Sequence, residues 1–385
     1  MWVACVALSC CAPATAGATT AGATTAGAVT TDTVLLREVS AARDAGAGCD
    51  PGAGSGGGST GRTGTTGNAK SGGGSKDEYR NAPGCVDELP VAGGYTVAVK
   101  RNFPLTGSPT VTHALIVVHG TGRNMEHTYA GMVQAATHAG AIGQTLVAAP
   151  FFKADGDEPG SREARWSSDG WKEGADAEQP KGLSSFQVVD VMMAMLADRA
   201  RFPRLTRVTL VGHSAGGQFT QRYAATGQAP FGMPGVAVDY VVANPSSYMY
   251  LSPDRPDLSD PSGARFLRPT VSCDYNAYKY GLEGRPGYLN RLTEQQIVAT
   301  YTGRRVTYLL GGSDTDKDED LDTDCAAMVQ GRNRFQRGTR FFDWVRSRFP
   351  QAPHTRVVVP GIGHDHDRLF DSAQARPVLF GPGSS

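Results

Sequence analysis

The sequence predicts an α/β domain: a mainly parallel sheet with helices on both faces. Three observations carry this expectation. Apolar runs such as Ala114-Leu-Ile-Val-Val118 are continuous, as in strands buried on both faces. Segments of helical periodicity alternate with these runs, the order that βα units impose. The pattern begins only after Cys85, where an Ala-, Thr-, Gly- and Ser-rich texture gives way to larger apolar side chains.

In chain order, Tyr95-Thr-Val-Ala-Val99 reads as a first strand by alternation, and Ala114–Val118 as a second that stops at His119-Gly120. Leu146–Ala149, halted by Pro150, is a third. Ser184 opens a long amphipathic segment whose Val188, Val191, Met192, Met195 and Leu196 recur at helical spacing, a core stripe. Arg207–Val211 is a strand, followed by a Gly-His-Ser-Ala-Gly turn and a helix through Gln218 to Ala225. Asp239–Ala243 is the next strand. A Pro- and Tyr-rich excursion over about 245–300 follows and is read as a lid-like insertion over the site. Val306–Leu310 and Thr355–Val359 are the last strands, with a helix from Phe335 to Arg348 between them.

The chain has 385 residues, and Lys plus Arg and Asp plus Glu both number 37. That balance argues against nucleic acid as a partner. No stretch approaches the roughly 20 apolar residues needed to span a bilayer. Residues 1–18 read as a signal segment for export: a short apolar run, then small residues with a cleavage site near Ala14 to Ala18. Cys10 is a poor lipid-attachment site. Residues 19–80 read as a disordered linker, with AGATT and GGGS-type repeats too poor in large apolar groups to offset ordering. Thr33 to Arg43 is a weak helix within it. The catalytic domain is expected over 81–385.

Gly212-His213-Ser214-Ala215-Gly216 lies between a strand and a helix, the context in which G-x-S-x-G forms a nucleophile elbow. Ser214 is the expected nucleophile. The two glycines permit close approach of strand and helix, and the Ala215 amide at the helix N-terminus points at a developing oxyanion. His119-Gly120-Thr121-Gly122 follows a strand in the position of a second oxyanion donor. Thr121 or Gly122 can supply it; Thr121 is preferred. His119 reads as structural.

Of eight histidines, His364, in a Gly-Ile-Gly-His turn after the last strand, is the expected base; His366 is its competitor. The other six read as surface or packing residues, with His213 merely the variable position of the elbow. Asp314 ends Leu309-Leu-Gly-Gly-Ser-Asp and is the expected acid, with Asp316 an alternative on a longer loop. The order Ser, Asp, His is that of α/β-hydrolases. The run from Asp314 to Asp324 raises a calcium reading, but Glu319 stands where an EF-hand loop needs Gly and Cys325 where it needs Glu. No metal site and no cofactor are expected, since the cysteine spacings match no zinc pattern. Outside the signal segment Cys49, Cys85, Cys273 and Cys325 remain, and Cys273 with Cys325 is the preferred disulfide because both flank the acid loop.

With these residues placed, the chain resembles exported bacterial α/β-hydrolases, a loose group including polyhydroxyalkanoate depolymerase-like and feruloyl-esterase-like enzymes. The resemblance covers about residues 110–370. It rests on VVHGTGRN at 117–124 with Tyr129, GHSAGGQ at 212–218, GGSD at 311–314 and GIGH at 361–364. Ala243 to Tyr248 and Cys273 to Gly281 look like family-specific stretches lining or covering the pocket. The resemblance implies an α/β-hydrolase fold and an esterase acting on a small-molecule or polymeric ester. Trp166 and Trp171 read equally as an aromatic wall above Ser214 or as loop anchors. The competing functions are an amidase or peptidase using the same residues, and a non-catalytic binding protein on the same fold.

Overall fold

The computed structural model describes residues 82–229 and 233–381. The expected signal segment, the linker and the weak helix at Thr33 to Arg43 lie outside the described residues. An eight-stranded sheet organises them. Its strands in chain order are β1 (Cys85–Val91), β2 (Tyr95–Arg101), β3 (His113–Val118), β4 (Thr145–Pro150), β5 (Arg207–His213), β6 (Ala237–Ala243), β9 (Arg305–Gly311) and β10 (His354–Val359). The spatial order is β1-β2-β4-β3-β5-β6-β9-β10. All neighbours from β4 through β10 pair parallel, whereas β1 and β2 form an antiparallel hairpin at one edge. β7 (Arg255–Pro256) and β8 (Phe266–Leu267) form a separate small ribbon in the excursion.

Strand alternation divides the apolar runs between two cores. Ala114, Ile116 and Val118 of β3 face the larger core, which also holds Leu210, Val242 and Leu310. Leu115 and Val117 face the smaller one, with Val211, Val241 and Leu309. This is why β3 reads as unbroken hydrophobicity: both faces are covered. The smaller core is closed by α1 (Met125–His138), α7 (His366–Phe370) and α8 (Arg376–Phe380), through Tyr129, Met132, Leu369, Phe370 and Leu379. The larger is closed by α2 (Ser185–Ala197), α3 (Ala215–Thr226), α4 (Glu294–Gly303) and α6 (Arg334–Arg348). A single turn of helix, α5 (Cys325–Met328), precedes α6.

Helix starts follow local chemistry. The Ser184 hydroxyl caps α2, and Gln187 reaches back to the Ser184 amide, a capping box. Thr293 and Gln296 do the same for α4. α4 lies inside the stretch read as an insertion over about 245–300, and it packs Ile297 and Tyr301 into the larger core. The excursion outside the sheet therefore ends before Glu294. Its first residues are not exposed: Tyr248, Met249 and Tyr250 are fully buried, with Tyr248 stacked on Phe341 at 4.6 Å. Cys273 and Cys325 are disulfide-bonded, as expected, joining the excursion to the start of α5. Cys85 is disulfide-bonded too.

Trp166 and Trp171 are wholly buried, packed on Phe152 at 5.5 and 5.8 Å. Trp171 also meets His119 at 4.5 Å and Phe219 at 6.4 Å. Their surroundings are those of anchors that tie the loop before α2 to the core.

Four histidines are buried, and three of them, His113, His119 and His354, have values that burial lowers to about 3 or 4. His113 bonds Thr209, and His354 bonds Tyr308 and the Tyr301 carbonyl. Burial lowers His113 to about 3, and His119 and His354 each to about 4. Each folded value lies below the unfolded one of about 6.5, so the unfolded chain takes up protons first as pH falls. The stability these rings contribute is complete above pH 6.5 and is lost towards pH 4, each costing about 1.4 kcal/mol per pH unit. Urea midpoints measured from pH 7 to pH 4.5 should fall steadily; a flat profile would contradict the neutral burial of these rings.

Candidate active site

Ser214 sits at the junction of β5 and α3 with φ 58° and ψ −120°, a positive φ that a non-glycine residue rarely adopts. Its amide donates to the Ala243 carbonyl at the end of β6, and its carbonyl accepts from Gln218 inside α3. The sharp turn needs glycines around it. A Cβ on Gly216 would lie 2.2 Å from the Val118 carbonyl oxygen, and one on Gly212 would lie 2.3 Å from the Gly216 backbone. Gly217, which the motif alone did not single out, is equally constrained: its Cβ would come within 2.6 Å of the Ala243 oxygen. Thus α3 can start against β3, β5 and β6 only with this glycine pattern.

Ala215 is the first residue of α3 and is buried, so its amide belongs to the unsatisfied first turn of a helix. The loop after β3 lies beside the elbow: a Cβ on Gly120 would touch the Ser214 Cβ at 3.9 Å. Thr121 is the next residue, half-buried in that loop. His119 shapes the loop from beneath. Its Nε2 accepts from the Phe152 amide at 3.1 Å, which leaves Nδ1 protonated to donate to the Gly120 carbonyl at 3.0 Å. Both nitrogens are thus used structurally. Beyond Thr121, Arg123 holds a positive φ and pairs with Asp157.

Asp314 and His364 follow β9 and β10. His364 Nδ1 lies 2.7 Å from Asp314 Oδ2, so the neutral ring carries its proton on Nδ1 and leaves Nε2 as an acceptor. Asp314 is almost fully buried, while Asp316 is exposed. The loop carrying Asp314 is fixed by its own backbone turn, Asp314 N to Gly311 O, and by the Phe335 amide at the start of α6. Arg334, fully buried, makes two 2.7 Å bonds to Asp318 and stands 3.8 Å from Asp314 Oδ1. That pairing holds the Asp318 carboxyl below its ordinary range.

Two further residues organise this edge. Asn244, at φ 40° just after β6, accepts the Gly311 amide at 3.0 Å and so ties the end of β6 to the start of the Asp314 loop. The residues after it are also structural ties: Ser247 accepts from Gln218, and Tyr248 exchanges two bonds with Gln330. His213, read as an incidental position, instead packs against His364 with ring centroids 4.4 Å apart and the rings tilted by 38°. Burial, then the proximity of His364 and His366, holds His213 well below the usual histidine value, so it stays neutral. His366 lies 5.8 Å from His213, with its Nε2 turned to Asp367 rather than Asp314.

Comparisons with known proteins bear on the fold. No family model matches the chain, and no curated protein matches it. Among solved structures, the poly(3-hydroxybutyrate) depolymerase LpqC of Bordetella parapertussis aligns with 24% identity and a TM-score of 0.51, covering 76% of this chain and 89% of that one. Poly(aspartic acid) hydrolase-1 of Sphingomonas sp. KT-1 aligns with 23% identity and a TM-score of 0.53, covering 77% of this chain and 98% of that one. The chain has the α/β-hydrolase fold.

Proposed function

We propose that the chain is a serine hydrolase that cleaves carboxylic esters through an acyl-enzyme, with Ser214 as nucleophile, His364 as base and Asp314 as its partner. One observation carries the reading: a serine held at positive φ between β5 and α3, at the sheet edge where a histidine and a buried aspartate pair at 2.7 Å. His364 Nε2 takes the Ser214 proton as Oγ attacks the carbonyl carbon. The oxyanion is held by the amides of Ala215 and Thr121. His364 returns the proton to the leaving alcohol, and water then repeats the sequence on the acyl group. Every step uses groups of this chain and water.

The same reading assigns residues 81–385 to the catalytic domain, 19–80 to a linker and 1–18 to an export segment. The Cys273–Cys325 disulfide is consistent with an oxidising compartment.

A matched set of p-nitrophenyl esters and p-nitroanilides tests the substrate class. Ester turnover should exceed anilide turnover for every acyl group. Faster anilide cleavage would make the protein an amidase, and neither turnover nor fluorophosphonate labelling would make it a non-catalytic relative.

A further inference from the structure

A second cluster of chemically capable side chains lies next to His213, whose ring centroid is 5.8 Å from that of His366. His127 projects from the first turn of α1, and His366 and Asp367 open α7. One ligating atom from each of the three lies within 4.8 Å of the others. His127 Nε2 is 2.8 Å from Asp367 Oδ2, and His366 Nε2 is 3.2 Å from Asp367 Oδ1. Tetrahedral zinc, with bonds of about 2.0–2.1 Å, sets its ligand atoms about 3.3 Å apart, which the His366–Asp367 separation matches and the His127–Asp367 separation would reach by opening about half an ångström.

Three features distinguish this cluster from an ordinary ion pair. Asp367 is nine-tenths buried, and its Oδ1 and the buried His366 Nε2 meet at 3.2 Å without forming a hydrogen bond to each other or to any third group. Buried polar atoms are rarely left so, and a pair of them converging on one point calls for a ligand. Gly131 on α1 makes the space: a Cβ there would fall 2.1 Å from Asp367 Oδ1. Finally, a cavity of about 200 Å³ opens beside the cluster, with Gly120, Gly122, His127, His213 and His366 in its wall. It offers an entry path and room for a water in a fourth coordination position.

We infer that His127, His366 and Asp367 form a binding site for a divalent transition-metal cation of the zinc class. Two imidazoles and one carboxylate suit that class, and an all-oxygen set for calcium or magnesium is absent from these three residues. The bound cation would join α1 to α7. The loop of Gly120 and Thr121 leads into α1, and His364 lies two residues before α7, so the cation would lock together the two segments beside Ser214. Cysteine spacing gave no sign of such a site, because His127 and His366 are remote in sequence.

The test is zinc binding to the full chain, without an affinity tag and stripped with a chelator, followed by calorimetry and elemental analysis. One Zn²⁺ per chain is expected, with a rise in melting temperature. His127→Ala and Asp367→Asn should each weaken binding about 100-fold or more, while His364→Ala should still bind. His213, Asp314 and His364 form the other group of suitable geometry among the described residues. Zinc lost on His364→Ala and retained by His127→Ala would move the cation there and overturn the inference, as would no binding below millimolar zinc. Should His127→Ala fold poorly, the visible spectrum of the Co²⁺-loaded His364→Ala chain, which lacks the other group, decides instead. Intense bands of four-coordinate cobalt support the site, and the spectrum of hydrated cobalt refutes it. Ester turnover measured in parallel keeps this outcome separate from the fate of the hydrolase reading.

Discussion

Ser214→Ala should lower kcat on a p-nitrophenyl ester by about 10⁶-fold and remove fluorophosphonate labelling, while leaving the chain folded. The size of the loss follows from the absence of any other route to the acyl-enzyme. Preservation of the fold follows from the contacts at this position: the structural bonds of Ser214 are made by its amide and carbonyl, and its hydroxyl makes no capping bond to α3. The backbone adds a second, independent expectation. A positive φ at a residue with a Cβ costs about 1–3 kcal/mol, and glycine largely escapes that cost. Ser214→Gly should therefore be more stable than Ser214→Ala by about 1 kcal/mol, read from urea midpoints. Full labelling of the alanine variant would remove Ser214 as nucleophile. A glycine variant less stable than the alanine one would show that the elbow stores no strain.

The residues that were legible in the sequence are those whose signal is local. The β3, β5 and β9 runs announce themselves because two covered faces leave no polar alternation. Ser214 is flanked by glycines whose spacing is a local signal, although the clashes that require Gly216 and Gly217 are with β3 and β6. Asp314 and His364 each end a strand by way of glycine turns, so order along the chain already suggests their meeting. Other elements have weak local signals. β1 contains Pro90, which suits an edge strand but reads as a break. α1 buries Met125, Tyr129 and Met132 at helical spacing, but the Ala, Gly and Thr residues between them make that stripe narrow. α4 buries only Ile297 and Tyr301, so its pattern is faint, although the Thr293 and Gln296 capping box was there to be read. The packing of His213 against His364, the Asn244 tie to Gly311 and the approach of His127 to Asp367 are products of topology. Each joins segments from different strands or helices, and nothing in the local sequence around any one of them specifies its partner.

Asp314→Asn should lower kcat by about 10⁴-fold with little change in KM, whereas Asp316→Asn should change neither by more than about twofold. The sequence alone left the two aspartates as alternatives two residues apart. Their surroundings differ sharply: Asp314 is buried and bonded to His364 Nδ1, while Asp316 is exposed. An asparagine at 314 can present its amide N–H to Nδ1, which drives the ring proton to Nε2. The lone pair then sits on Nδ1 and Nε2 has none to receive the Ser214 proton, and any imidazolium formed during attack loses its counter-charge. Folding should survive, because Arg334, the nearest cation, keeps both its bonds to Asp318 when the charge at 314 is removed. The loss should fall on kcat because Asp314 acts on the ring and not on the bound ester. A larger effect from Asp316→Asn than from Asp314→Asn would mean that the acid loop rearranges when substrate binds. A rise in KM alone would mean that Asp314 holds the site's shape without orienting His364.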